Sequence, residues 1–334
     1  MKHIICKGER SECTGEIIGS GKFLYRIENN FIKWPKELEQ MTALNCCWGK
    51  DHRFYVVTGK PDTPVIVFDE ALNYCKTIAQ GMFGKSHSVC YTKNGTLLIA
   101  DAHKNSHVIK EITPEGELVR LFGTQGVSGD SGYDFDYLET MQKNGESPTV
   151  TEWNKNDASN ARIDSIRRRG LPFCRPCSMI MTPTGEYFAA DGYGNCAVHH
   201  FNAEGKYIES WGTPEEFRVV HSICMDRQGR LWVADRENCR VKSFDTEGNL
   251  LAVVEGNLSR IGTVFVDDRY LYIAELDGGV TLVDLEALEM VLQLGTAGMT
   301  LLKSHGLCAD EEKNIYLATN KANANNLLRL TYIK

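Results

Sequence analysis

Three of the nine histidines stand at one place in a recurring phrase. Asp101, Asp235 and Thr319 each close a short apolar run, and 14 positions before them stand His87, His221 and His305. In a fourth copy the same count from Asp191 reaches Cys177. Imidazole is the commonest side-chain ligand for a metal. Three imidazoles meeting at one point leave a fourth position open, which describes a catalytic zinc site better than a closed structural one. Any one of these histidines alone reads more simply as a hydrogen-bonded channel residue. Three in one phase favour zinc or another divalent metal.

The elements that must carry them follow from the phrase itself. Ser222-Ile223-Cys224-Met225 alternates as a strand, Asp226 to Arg230 holds a glycine turn, and Leu231 to Asp235 is a second apolar strand. Ser88 to Asp101 and Ser178 to Asp191 repeat it, and Gly306 to Thr319 is a degenerate copy. A third and fourth strand follow each time, as in Val241-Lys242-Ser243-Phe244 and the segment through Leu250. Four short strands per unit of about 40–45 residues are the signature of a propeller blade. The expected fold is therefore all-β: one six-bladed β-propeller domain over 1–334, with blades near 43–79, 86–122, 173–211, 219–254, 257–294 and 303–333. The last is one strand short, and the lone strand Lys22 to Glu28 is expected to complete it and close the ring, leaving no exposed sheet edge there. Residues 124–172 break the period and are expected to form an inserted loop or lid over one end. The three histidines fall in blades two, four and six, about 120° apart in a six-fold ring, so they converge on the axis.

Composition narrows the partners. The chain has 334 residues and a net charge of −7, from 37 basic and 44 acidic side chains. That balance speaks against nucleic acid or an anionic membrane, both of which call for a basic face. No apolar run approaches a membrane span. The first residues, Met1 to Lys7, lack the apolar core of a secretion signal. Twelve cysteines are spread along the chain, many inside apolar strands, and read as reduced thiols. The expectation is a soluble, cytoplasmic protein with a small-molecule or peptide-like substrate. The sequence leaves the oligomeric state open, and a monomer is compatible with it.

His221-Ser222, the run Leu231-Trp232-Val233-Ala234-Asp235-Arg236-Glu237-Asn238-Cys239-Arg240-Val241, and Ala190-Asp191-Gly192-Tyr193-Gly194-Asn195 resemble the peptidyl-α-hydroxyglycine α-amidating lyases, which are NHL-type six-bladed propellers. The likeness covers nearly the whole chain except 124–172 and the first ~20 residues. It implies that His87, His221 and His305 hold zinc, that Tyr193 is the catalytic base and that Arg236 stands beside it. The implied reaction cleaves the C–N bond of a carbinolamide, R–CO–NH–CH(OH)–COO⁻, to an amide and glyoxylate. Zinc would acidify the hydroxyl, and the cation of Arg236 would help a phenol of ordinary pKa about 10 to act as base. Without that context Tyr193 reads as a packed loop ring and Arg236 as a partner of Asp235 or Glu237.

The sequence also departs from the family. Thr58 stands just before Gly59 where the family has a substrate-binding arginine, so Arg53 or Lys60 is the expected substitute. His103, after the second strand of blade two, and Arg168, in the run Arg167 to Arg169 of the insertion, are the other substrate-binding candidates. Gly306 follows the third histidine where the family has an acidic residue, so its structural calcium is not expected here. The substrate is thus an α-hydroxyglycine derivative or a related small α-hydroxy adduct. A non-catalytic NHL propeller that docks protein partners is the alternative.

Overall fold

In each repeat the first three strands are buried at nearly every position, and the fourth mixes in exposed residues. Strands of the first kind need cover on both faces. Twisted sheets packed face to face around an axis supply it. A computed structural model describes residues 1–7, 10–11, 13, 15–146, 158–295, 300–319 and 326–333 of the chain and shows six such sheets.

Blade 1 is built from Asn45–Trp48, Phe54–Val57, Val65–Phe68 and Tyr74–Ile78. Blade 2 takes Ser86–Tyr91, Leu97–Asp101, Val108–Ile112 and Leu118–Phe122. Blade 3 takes Ser178–Met181, Tyr187–Asp191, Ala197–Phe201 and Tyr207–Trp211. Blade 4 takes Val220–Met225, Leu231–Asp235, Arg240–Phe244 and Leu250–Gly256. Blade 5 takes Ile261–Val266, Tyr270–Glu275, Val280–Asp284 and Glu289–Leu294. Blade 6 takes Gly306–Ala309, Ile315–Ala318 and Leu327–Tyr332. Strands pair in chain order within each blade, and the first is the innermost.

The strand Phe23–Glu28 completes blade 6 by antiparallel pairing with Leu327–Tyr332, Glu28 opposite Arg329 and Ile27 opposite Leu330. The Arg329 guanidinium donates to Glu28 at 2.7 Å across the same seam. Ile17–Ser20 adds a fifth strand outside it. Lys2–Cys6, to which the sequence reading gave no structure, pairs in parallel with the outermost strand of blade 4. Between them Ser11 bridges to Leu294 of blade 5. The described residues among the first 28 thus pair with the outer edges of three consecutive blades.

Six apolar clusters fill the six inter-blade interfaces, the last of which joins Cys46, Phe54 and Phe68 of blade 1 to Cys308, Tyr316 and Leu327 of blade 6. Each fully buried side chain of this size contributes about 1.5–3 kcal/mol. The ring is therefore closed by packing as well as by pairing.

Residues 124–172 carry a helix, Tyr137–Lys143, and a 3-10 segment, Ala158–Ser165, while 147–157 lie outside the described residues. Ile163 and Ile166 pack with Cys196 and Val219 and against Tyr133 and Tyr193. Ser131 donates to the Gly194 carbonyl at 2.5 Å, and the Asn195 amide bonds the Gly170 backbone at 2.8 and 3.0 Å. The insertion is seated on the blade 3–4 side of one end of the ring. Among the described residues no helix is long and apolar enough to cross a membrane.

Candidate metal centre

The innermost strands begin at this end of the ring. In blades 2 and 4 the strand enters through a register shift, with Ser86 paired to Asp101 and Val220 to Asp235, and His87 and His221 lie inside the shift. A bulge of this kind re-aims a side chain. The acidic residue that ends each second strand fixes the approach. Asp101 accepts the Gly84 and Lys85 N–H groups at 2.9 Å, Asp191 that of Cys174 at 2.9 Å, and Asp235 that of Arg218 at 2.8 Å. Glu275 does the same for Ser259 at 2.7 Å. In blades 2 and 4 the carboxylate that marks the repeat in the sequence is the latch on the loop that delivers the histidine, whereas Thr319 stands at that position in blade 6.

His87, His221 and His305 converge, each offering one ring nitrogen within 4.8 Å of the others, and all three are buried. Their Nδ1 atoms bond the carbonyls of Cys177 at 2.7 Å, Gly262 at 2.6 Å and Leu44 at 2.9 Å. A carbonyl only accepts, so each Nδ1 carries the proton and each Nε2 presents a lone pair. Burial pushes His305 down to about 4, and His87 and His221 fall well below the ordinary histidine range from burial and from His305 beside them. The Nε2 atoms of His87 and His305 nonetheless stand 3.1 Å apart. Two bare lone pairs at that distance repel unless a cation lies between them. The donor set, neutral imidazoles with Nδ1 fixed by backbone carbonyls, suits a divalent metal.

Tyr193 reaches the same point from the loop after the second strand of blade 3. Its hydroxyl lies 3.0 Å from Nε2 of His87 and 3.0 Å from Nε2 of His221. Glycines flank it for a steric reason: a Cβ on Gly192 would overlap the Val220 backbone, and one on Gly194 would overlap Cys174. Arg236, buried at the matching loop of blade 4, donates to the Tyr193 hydroxyl at 3.4 Å and to Glu237 at 2.6 Å. Burial pushes the phenol up to about 12, while Arg236 pulls the other way.

Two cations that sequence reasoning missed also face this ring. The Arg175 guanidinium lies 5.3 Å and the Lys85 ammonium 5.9 Å from the Tyr193 ring centre. The repeat held the signal: Lys85 and Arg175 stand two residues before His87 and Cys177, in one phase.

The other substrate-binding candidates do not join the centre. Arg53 lies in the turn between the first two strands of blade 1, at the far end of the ring, where it pairs with Glu115 at 3.5 Å. The turn that follows an inner strand is by topology opposite the end at which that strand begins. Lys60 is at the correct end, two residues past Thr58, but its side chain is exposed to solvent. His103, half-buried in the corresponding loop of blade 2, uses Nδ1 to accept the Asn105 N–H at 3.2 Å. Arg168 is exposed and spends its guanidinium on both oxygens of Asp130 at 2.5 Å. The arginine run of the insertion is a solvated loop feature.

This fold and site define a six-bladed β-propeller with three histidines converging on its axis. The NHL repeat model matches residues 217–244. The chain is 25% identical to NHL repeat-containing protein 3 of Homo sapiens over 277 residues, 77% of this chain and 68% of that one. It is 43% identical to peptidyl-alpha-hydroxyglycine alpha-amidating lyase 2 of Drosophila melanogaster over 93 residues, 25% of this chain and 23% of that one. A streptogramin B lyase structure superposes with a TM-score of 0.59 at 12% identity, over 92% of this chain and 98% of that one, a likeness of fold. The chain is a six-bladed propeller that matches the NHL repeat over 217–244 and is similar to the amidating lyases over part of its length.

Proposed function

We propose that the protein is a metal-dependent carbon–nitrogen lyase acting on an α-hydroxyglycine-type carbinolamide or a related small α-hydroxy adduct. The observation that carries this reading is the set of three Nδ1-protonated imidazoles whose bare Nε2 atoms meet beside the Tyr193 hydroxyl. His87, His221 and His305 hold zinc or another divalent ion. That ion, when bound, supplies positive charge that acidifies a substrate hydroxyl and favours ionised Tyr193. Tyr193 takes the hydroxyl proton, and Arg236 offsets the charge left on the phenol. As the C–N bond breaks, its electron pair passes to the amide nitrogen, which takes the proton back from Tyr193, and the hydroxyl-bearing carbon becomes the aldehyde of glyoxylate. The partial likeness to amidating lyases supports the same reaction class. We place the protein in the cytoplasm or another reducing compartment, on the support of twelve free cysteines, seven of them buried.

The test is glyoxylate release from a panel of α-hydroxyglycine derivatives, before and after chelation and with zinc restored. Full activity after complete metal removal would refute the reading. A second reading, a docking platform for protein partners, draws support from the outermost strands of blades 2 and 3, where Leu118, Val119, Tyr207 and Ile208 are about half exposed. Metal content well below one equivalent, unchanged by His221→Ala, would favour it.

A further inference from the structure

The residue two positions before each axial position forms a second ring one step closer to the mouth. Its members from blades 1 to 6 are Thr42, Lys85, Arg175, Val219, Arg260 and Lys303. Four of the six are cations, in a chain whose net charge is −7. The ring is not evenly balanced. On the blade 5–6 side Asp277 pairs with Arg260 at 2.9 Å and also feels Lys303. On the blade 2–3 side, among the described residues, no carboxylate lies within ion-pair distance of Lys85 or Arg175.

Arg175 is held there at a cost. Its φ of +62° is in the left-handed region that residues with side chains enter only when their surroundings enforce it. Its N–H donates to Nδ1 of the buried His107 at 3.2 Å, and its guanidinium donates to the Ala102 carbonyl and the Tyr133 hydroxyl, each at 3.2 Å. These bonds fix the guanidinium over one side of the Tyr193 ring, and among the described residues it has no anionic partner. Lys85, half-buried and two residues from His87, stands at the same ring. Two cations kept close together in a half-buried place, with no carboxylate to answer them, are the footprint of an anion that arrives from outside.

We infer that Lys85 and Arg175 are the specificity-determining residues that seat the carboxylate of a small substrate whose hydroxyl is on the adjacent carbon, on the blade 2–3 side of the mouth. The inference rests on the lyase reading for the placement of that hydroxyl toward the histidines.

Equilibrium titration of the purified, metal-loaded protein with glycolate, and with the neutral glycolamide, tests this without turnover. Glycolate should bind, and glycolamide should bind at least about tenfold more weakly. Lys85→Met and Arg175→Gln should each weaken glycolate by about 10–100-fold and leave glycolamide unchanged, since a hydrogen bond to a charged group is lost. Lys85→Arg should recover most of the affinity, and Arg168→Gln should match the parent. Metal content and melting temperature, measured on each variant, separate a lost contact from a lost fold. Equal binding of glycolate and glycolamide by the parent, or glycolate binding indifferent to both substitutions, overturns the inference. Glycolate binding that depends on Lys85 and Arg175, in a protein that releases no glyoxylate from any hydroxyglycine, upholds the carboxylate seat and overturns the reaction.

Discussion

Blades 2, 4 and 6 and blades 1, 3 and 5 use one position in opposite ways. In the even blades the axial residue is His87, His221 or His305, and its side chain enters the centre. In the odd blades it is Leu44, Cys177 or Gly262, whose backbone carbonyl serves the centre as acceptor of the Nδ1 proton from the preceding blade. The centre is thus a ring of six residues in which three supply side chains and three supply carbonyls. Metal retention should be intolerant of side-chain change in the first set and indifferent to it in the second.

The sharpest way to break this contrast is to exchange the two sets. Replacing any one of the three histidines by alanine should abolish stoichiometric metal retention, read by metal analysis of protein purified without a histidine tag, and activity with it. Cys177→Ala should keep the metal and lose only about 1 kcal/mol of stability, because the carbonyl that holds His87 stays in place. Next in size is Tyr193→Phe, which keeps the ring and the three nitrogens but removes the ionisable hydroxyl. It should retain metal and lose about 10²–10⁴ in turnover under the lyase reading, measured as glyoxylate release. A smaller effect probes the backbone set. Gly262→Ala puts a Cβ against the Ser304 carbonyl and the His305 backbone. It should cost about 1–3 kcal/mol in thermal unfolding, because something in the packed ring must move.

The smallest effect is a pH dependence. Burial holds His107 below the ordinary histidine value, and its neutral Nδ1 accepts the Arg175 N–H. The unfolded chain takes up a proton at this histidine near pH 6.5, before the folded protein does. Its stabilising contribution is therefore complete above about pH 6.5 and is lost as pH falls toward the lower folded value. Melting temperature should decline over that window, and His107→Gln should flatten part of the slope.

How much of this was legible follows from what each residue contributes to the repeat. The blades and the histidine phase could be read because Asp101, Asp191 and Asp235 recur as latches, and each latch fixes the spacing to the residue it delivers. The strand that closes blade 6 was legible because an unpaired third strand at the end of the chain needs a partner. Lys2–Cys6 was not, since only Ile4 and Cys6 face inward and the strand it joins lies some 250 residues away. Arg53 misled because a cation near a motif in sequence can lie on the other side of a blade. Lys85 and Arg175 went unseen because the count was made at the axial position alone. Read two residues earlier, the same repeat shows four cations.

The seam that closes the ring sets an order of events in synthesis. Phe23–Glu28 leaves the ribosome some 300 residues before its partner Leu327–Tyr332. Until then its N–H and C=O groups, and the inward faces of Phe23 and Tyr25, have no native neighbour. Pairing across such a separation is slow to find, and an unpaired apolar strand invites the wrong partner. Each nascent chain therefore carries its own unfinished edge for the some 300 residues that separate the two strands, and its exposure to chaperones and to aggregation is set by the last strand of the ring.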